Sequence, residues 1–233
     1  MINNNLLKDL CQCCIDSYEG EYGKVKEILK NVKKIEIGHI SVFIGELDSY
    51  IVICFPGSKE FLDWVDNLRF RKTSIFLNKR DDIKVHEGFF DQYATIRMDI
   101  REEISNRDKN KKIFITGHSL GGALATLCHY YDYFYDDSAM SITFGSPRVG
   151  NNEFKKDFNL LKLESYRIVY GEDTITKVPT LWMKFKHVGK KIKLKKEYSF
   201  WQKFLIPVYK IFGNIKDHYP QRYLKGVKNL NAI

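Results

Sequence analysis

A serine hydroxyl attacks a carbonyl carbon efficiently only when an imidazole takes its proton and a carboxylate holds that imidazole in place. The stretch Ile113-Phe114-Ile115-Thr116-Gly117-His118-Ser119-Leu120-Gly121-Gly122-Ala123-Leu124-Ala125 offers such a serine. An apolar run leads straight into Ser119 and small residues follow, which reads as strand, sharp turn and helix. The spacing is that of the Gly-x-Ser-x-Gly elbow, whose strained turn lifts the hydroxyl above a sheet. The helix that opens after Ser119 directs free N–H groups at the same point, where negative charge would develop. The five residues alone also fit a glycine-rich turn with a chance serine. It is the strand before them and the helix after them that favour the nucleophile.

With this elbow the acid and then the base follow the serine along the chain. Two histidines lie well beyond the elbow helix, His187 and His218, whereas His129 falls inside it. Asp173 stands in a loop after the apolar run Tyr166 to Tyr170 and is the first candidate for the acid. Glu172 and Glu164 are alternatives that read more readily as solvated surface carboxylates. Spacing alone leaves both histidines open.

The elements that must position these groups can be read in order. Leu7, Leu10, Cys11, Cys14 and Ile15 recur at helical spacing over residues 5–18, with asparagines ahead of them as caps. Runs at 35–37, 40–44 and 50–55 are β-branched and aromatic, and predict two antiparallel strands leading to a central one. Helical spacing resumes over 60–71 with Phe61, Leu62, Trp64, Val65 and Leu68. Residues 72–84, polar and basic, predict a surface loop. Phe89, Tyr93, Ile96, Ile100 and Ile104 then fall on one face of a long helix. After the elbow come a strand at 140–145, a short helix near 152–161 and a strand at 165–170. Residues 182–194 predict a basic hairpin, and 200–212 mixes aromatic residues with lysines around Pro207. Strand and helix alternate through the middle, which predicts an α/β fold: a mostly parallel sheet with helices on both faces.

Composition narrows the class. With 233 residues the chain can bury a large core, and a single domain over 1–233 is expected. No apolar run is long enough to span a bilayer. Cys11, Cys13, Cys14, Cys54 and Cys128 are odd in number, crowded or set in apolar interiors, which predicts free thiols in a reducing compartment. Residues 1–8 show no basic segment followed by an apolar one and a cleavage site. The expectation is therefore an intracellular protein, cytoplasmic or peripheral to a membrane. The formal charge of +9 is concentrated locally, with seven lysines between Lys184 and Lys196. A solvated face is the plain explanation of that run, and contact with an anionic membrane surface is the functional one. No nucleic-acid-binding motif accompanies it.

Six motifs in order carry a resemblance: Phe55-Pro56-Gly57-Ser58 with Trp64, Val85 to Phe89, Thr116 to Ala125, Thr143 to Asn151, Tyr170 to Pro179, and Asp217-His218-Tyr219 with Tyr223. Over roughly residues 35–225 the chain resembles the class 3, fungal-type lipases of the α/β-hydrolase superfamily. The resemblance implies that Ser119 is the nucleophile, Asp173 the orienting acid and His218 the general base. It makes His187 a neighbour of the site and gives structural roles to His86 and His118. It implies an oxyanion hole from the Leu120 N–H and from Ser58, through its N–H and hydroxyl. It also makes the 58–70 helix a lid, with Phe61, Leu62, Trp64 and Val65 as its apolar, acyl-facing side. Two positions depart from the family's habit, Pro56 in place of arginine and Ser146 in place of glutamine. Proline restricts the backbone just before the oxyanion loop.

These readings predict a serine carboxylester hydrolase acting on lipid acyl esters through an acyl-enzyme. It needs no metal or organic cofactor and has a lipid or other ester as its partner. The rivals are a phospholipase or short-chain esterase using the same triad, and a non-catalytic lipid-binding protein on the same scaffold. Trp201, Phe204 and Leu205, beyond the lysine run, would join it in membrane docking.

Overall fold

Three runs rich in β-branched and aromatic residues form the strands β1 (Lys30–Ile37), β2 (Ile40–Leu47) and β3 (Tyr50–Phe55). They pair antiparallel in sequence order, as tight two-residue turns between them require. The computed structural model describes residues 2–18, 22–58, 71–75, 81–132, 138–196 and 214–230. From β3 onward the main sheet is parallel. β6 (Lys112–His118), β7 (Met140–Phe144), β8 (Glu164–Tyr170) and β9 (Lys190–Leu194) extend it in the order β1-β2-β3-β6-β7-β8-β9.

Alternation along each strand feeds two cores. From β3, Ile51, Ile53 and Phe55 enter one core while Val52 and Cys54 enter the other. The first core is covered by α3 (Glu87–Ser105), α4 (Leu120–Asp132) and α5 (Asn152–Leu160). The second is covered by α1 (Asn4–Ser17), α2 (Tyr22–Ile28) and α6 (Pro220–Lys228). Asn3 caps α1 by accepting a hydrogen bond from the Leu6 N–H at 2.7 Å. The arrangement is the mostly parallel sheet with helices on both faces expected from the alternation, and it is the α/β-hydrolase fold that the resemblance implies. All five cysteines are free and buried, four of them in the α1 core.

Two local expectations need correction. Residues 72–84 do not form a plain surface loop: β4 (Lys72–Ser74) and β5 (Lys84–His86) pair antiparallel as a small separate sheet. Ile75 and Ile83 beside the strands are fully buried, and that anchorage is invisible in a stretch dominated by polar residues. Residues 182–194 do not form a hairpin either. Leu181–Met183 is a single 3-10 turn, and Lys190–Leu194 pairs in parallel with β8. The open edge of β8 captures this strand through buried Leu194 and half-buried Ile192, so long-range pairing outweighs the local turn. The helix expected at 60–71, with Phe61, Leu62, Trp64 and Val65, lies outside the described residues, as does 200–212 with Trp201, Phe204 and Leu205.

Candidate active site

The elbow joins β6 to α4. Ser119 sits in the left-handed region at φ +59°, a conformation that costs a residue with a side chain roughly 1–3 kcal/mol and persists only where its surroundings enforce it. Those surroundings are close backbone contacts. A Cβ on Gly117 would run into the Gly121 backbone, and one on Gly121 would run into the carbonyl oxygens of Phe55 and Pro56. The Ser119 N–H donates to the Phe144 carbonyl at 2.9 Å, fixing the turn to β7. Leu120 is the first residue of α4, so its N–H has no acceptor within the helix. The same close approach of Phe55 and Pro56 to Gly121 keeps the loop carrying half-buried Ser58 beside the elbow.

His218 arrives from almost 100 residues away and meets Ser119 Oγ through Nε2 at 2.7 Å. Its Nδ1 lies 2.8 Å from Asp173 Oδ2. Asp173 is fully buried, and its other oxygen accepts the Ile175 N–H at 2.8 Å. With the carboxylate fixed on both oxygens, the imidazole is held with Nε2 toward the serine. Serine, histidine and aspartate thus form one continuous hydrogen-bonded line, in the order expected from the motifs.

A second set of contacts holds the histidine; the sequence motifs named Asp217 and Tyr223 among them but assigned them no role. His218 ends a short 3-10 turn, Ile215–His218, that is docked on the loop carrying Asp173. The Asn214 N–H donates to the Glu172 carbonyl at 2.7 Å, and Asp217 accepts the Glu172 N–H at 2.9 Å. Asp217 is itself buried, and Lys196 Nζ neutralises it at 2.5 Å. From α6, the Tyr223 hydroxyl donates to Asp173 Oδ2 at 2.5 Å, sharing that oxygen with His218. Burial and the adjacent carboxylate both push the Tyr223 phenol far above its usual pKa, so it stays a donor.

The remaining polar candidates separate clearly. His187 Nε2 lies 2.7 Å from the Thr176 carbonyl, supporting the acid loop from behind without reaching Ser119. His86 caps α3, where its Nδ1 accepts the Phe89 N–H at 3.4 Å. Glu172 pairs with Lys193 at 2.5 Å, and Glu164 accepts from the Tyr166 hydroxyl, so neither is the orienting acid. His129 contacts Ser141, far down the elbow helix. His118 is buried with its ring 4.6 Å from that of His218, and burial together with that neighbour holds its pKa well below the ordinary value. A neutral His118 places no positive charge beside the triad at moderate pH.

Tyr18 is the residue that motif reading had no means of finding. It follows α1, and its hydroxyl lies 2.6 Å from Nδ1 of His118, the elbow residue next to Ser119. Gly57 makes room for it, since a Cβ there would strike the tyrosine hydroxyl. The residue after the N-terminal helix therefore reaches both the elbow, through His118, and the loop of Ser58. Among the described residues no group of histidine, cysteine and carboxylate side chains is placed to hold a metal ion.

The sequence matches the family Lipase (class 3) over residues 52–183, more than half of the chain. It is 35% identical over 149 residues to the chloroplastic phospholipase A(1) DAD1 of Arabidopsis thaliana, covering 55% of this chain and 33% of that protein. It is 30% identical over 153 residues to a lipase of Rhizomucor miehei, covering 62% of this chain and 42% of the lipase. These matches thus span a third to two fifths of the relatives' own length. The native Rhizomucor miehei lipase propeptide complex superposes with a TM-score of 0.71 at 25% identity, over 83% of this chain and 68% of that one. A fungal lipase–inhibitor complex gives a TM-score of 0.76 at 25% identity over 92% of each chain. In sequence, fold and the ordered line of serine, histidine and aspartate alike, this chain belongs to the class 3 lipase family.

Proposed function

We propose that this protein is a serine carboxylester hydrolase that cleaves lipid acyl esters. The observation that carries the reading is the unbroken line from Ser119 Oγ through His218 to Asp173, beneath a strained elbow. Ser119 attacks the ester carbonyl as its proton passes to His218 Nε2. The Leu120 N–H and Ser58, by N–H and hydroxyl, receive the oxyanion. His218 returns the proton to the departing alcohol, and water releases the acyl group by the same steps in reverse roles. Asp173 holds the imidazole and balances its charge while it is protonated, and Tyr223 and Ile175 hold Asp173.

The relatives' names and one surface feature support a lipid substrate met at an interface. Leu181 and Trp182 are 57% and 77% exposed, directly before Lys184 and Lys186. Apolar side chains beside lysines suit peripheral contact with an anionic membrane, where each cation adds about 1 kcal/mol. Five buried free thiols support a reducing, intracellular setting.

The deciding experiment is labelling by a fluorophosphonate probe together with turnover on triglyceride, phospholipid and short-chain esters. Wild-type protein is expected to label, and Ser119→Ala to fold normally yet lose label and at least about a 10,000-fold share of turnover. Undiminished hydrolysis by the Ser119→Ala protein would overturn the mechanism. A wild-type protein that takes no label would point to a non-catalytic scaffold.

A further inference from the structure

On the far side of the acid loop, β8 and β9 build something the triad does not use. Arg167 stands opposite Lys191, and Val169 opposite Lys193, across the parallel pair. Ile168, Tyr170 and Leu194 turn to the α1 core, so the alternating neighbours Arg167, Val169, Lys191 and Lys193 leave by the opposite face. There they line a recess of about 130 Å³, with room for several water-sized groups. Arg148, Thr176 and His187 close it, and Asp173 lies at its margin.

The charges in this recess do not balance. Glu172 engages Lys193 at 2.5 Å and Lys177 at 3.6 Å. Asp173 is committed to His218 and Tyr223. Arg148 gives Nη1 to the backbone oxygens of Lys177 and Pro179. Among the described residues neither Arg167 nor Lys191 forms an ion pair with a carboxylate, Glu172 acting on Lys191 only from a distance, and the buried Arg167 Nε–H has no acceptor there. A buried guanidinium donor left unmade is costly, and the usual reason for one is a missing water or ion. Burial, then repulsion from Arg148, pushes Arg167 down to about 10, and burial followed by Arg167 lowers Lys191. An anion would relieve all of these at once.

We propose that this recess binds a phosphate-type oxyanion, held by Arg167 and Lys191 with Lys193 at the rim. A group with several oxygens suits a planar guanidinium fork and two ammonium groups that line one recess. A fatty-acid carboxylate fits poorly, because Val169 is the one apolar side chain in the lining. Free phosphate and the headgroup phosphate of a lipid share this chemistry.

The test titrates inorganic phosphate into the protein by calorimetry, against chloride at matched ionic strength. One saturable site is expected. Arg167→Gln should weaken it by about tenfold or more, the worth of a charged hydrogen bond, and Lys191→Gln by several-fold. Lys156→Gln, at an exposed position on α5, should bind as wild type. Should Arg167→Gln fail to fold, the double change Lys191→Gln with Lys193→Gln at the exposed sheet edge makes the same test. Phosphatidylcholine vesicles with and without phosphatidic acid separate the sources. Binding to phosphatidic acid that inorganic phosphate displaces and Arg167→Gln abolishes assigns the headgroup. Phosphate binding with vesicle binding indifferent to both assigns the free ion. Heats no greater than those of chloride, or equal affinity in every variant, would overturn the site.

Discussion

The two halves of the proposed catalytic line are built in opposite ways. The nucleophile half is local: Gly117, Ser119, Leu120 and Gly121 lie within five residues, and its geometry is enforced by backbone against backbone. The base half is assembled from four separate segments, with the Asp173 loop, Lys196, the turn of Asp217 and His218, and Tyr223 on α6. A backbone-enforced site fails abruptly when one atom is added. A site assembled from side chains should weaken by degrees as its contacts are removed one at a time.

Gly117→Ala tests the abrupt half and carries the largest expected effect. Its Cβ meets the Gly121 backbone, which no rotamer change can relieve. More than about 3 kcal/mol of stability should be lost, with little or no active protein recovered. Thermal unfolding and fluorophosphonate labelling read both. A stable, fully active Gly117→Ala protein would remove the distinction between the halves.

Lys196→Met probes the graded half. It leaves Asp217 buried without its cation, which costs about 3–5 kcal/mol. Adding Asp217→Asn to it should restore much of that stability in urea unfolding, because no uncompensated charge then remains. Turnover in the single variant should fall as the histidine turn loosens. Tyr223→Phe is milder: it deletes one hydrogen bond to Asp173 and should lower kcat about tenfold with KM unchanged. A rise in KM with kcat unchanged would instead place Tyr223 in substrate binding.

The smallest effect concerns the scaffold beneath both halves. Burial pushes His86 down to about 4 from 6.5. A histidine with a depressed folded pKa contributes stability in full above about pH 6.5 and loses it as the pH falls toward 4. His86→Asn keeps a capping side chain without the titration. Its unfolding free energy should decline less than that of the wild type between pH 7 and 4.5, by roughly 2 kcal/mol. Parallel declines would show that His86 does not set the acid limit.

This division also explains what could be read in advance. The elbow was legible because its chemistry and its constraint occupy the same few residues. Asp173 and His218 could be chosen through the order of the motifs, since spacing alone left His187 open. Lys196 and Tyr18 carry no local signature, and Asp217 and Tyr223, though part of the last motif, were given no role, because each acts through a contact made only when distant elements meet. The same reason accounts for β9, whose partners on β8 lie 24 residues earlier in the sequence, and for β4 and β5, whose buried anchors Ile75 and Ile83 stand among polar neighbours.

Tyr18 has one more consequence. The stretch shared with the family runs from 52 to 183 and contains Ser119 and Asp173, yet Tyr18 precedes it and His218 follows it. A protein trimmed to that shared stretch would retain the proposed nucleophile without its proposed base and an elbow open on its α1 side. For any relative recognised through this stretch alone, the means of turning it over must be sought in the flanks.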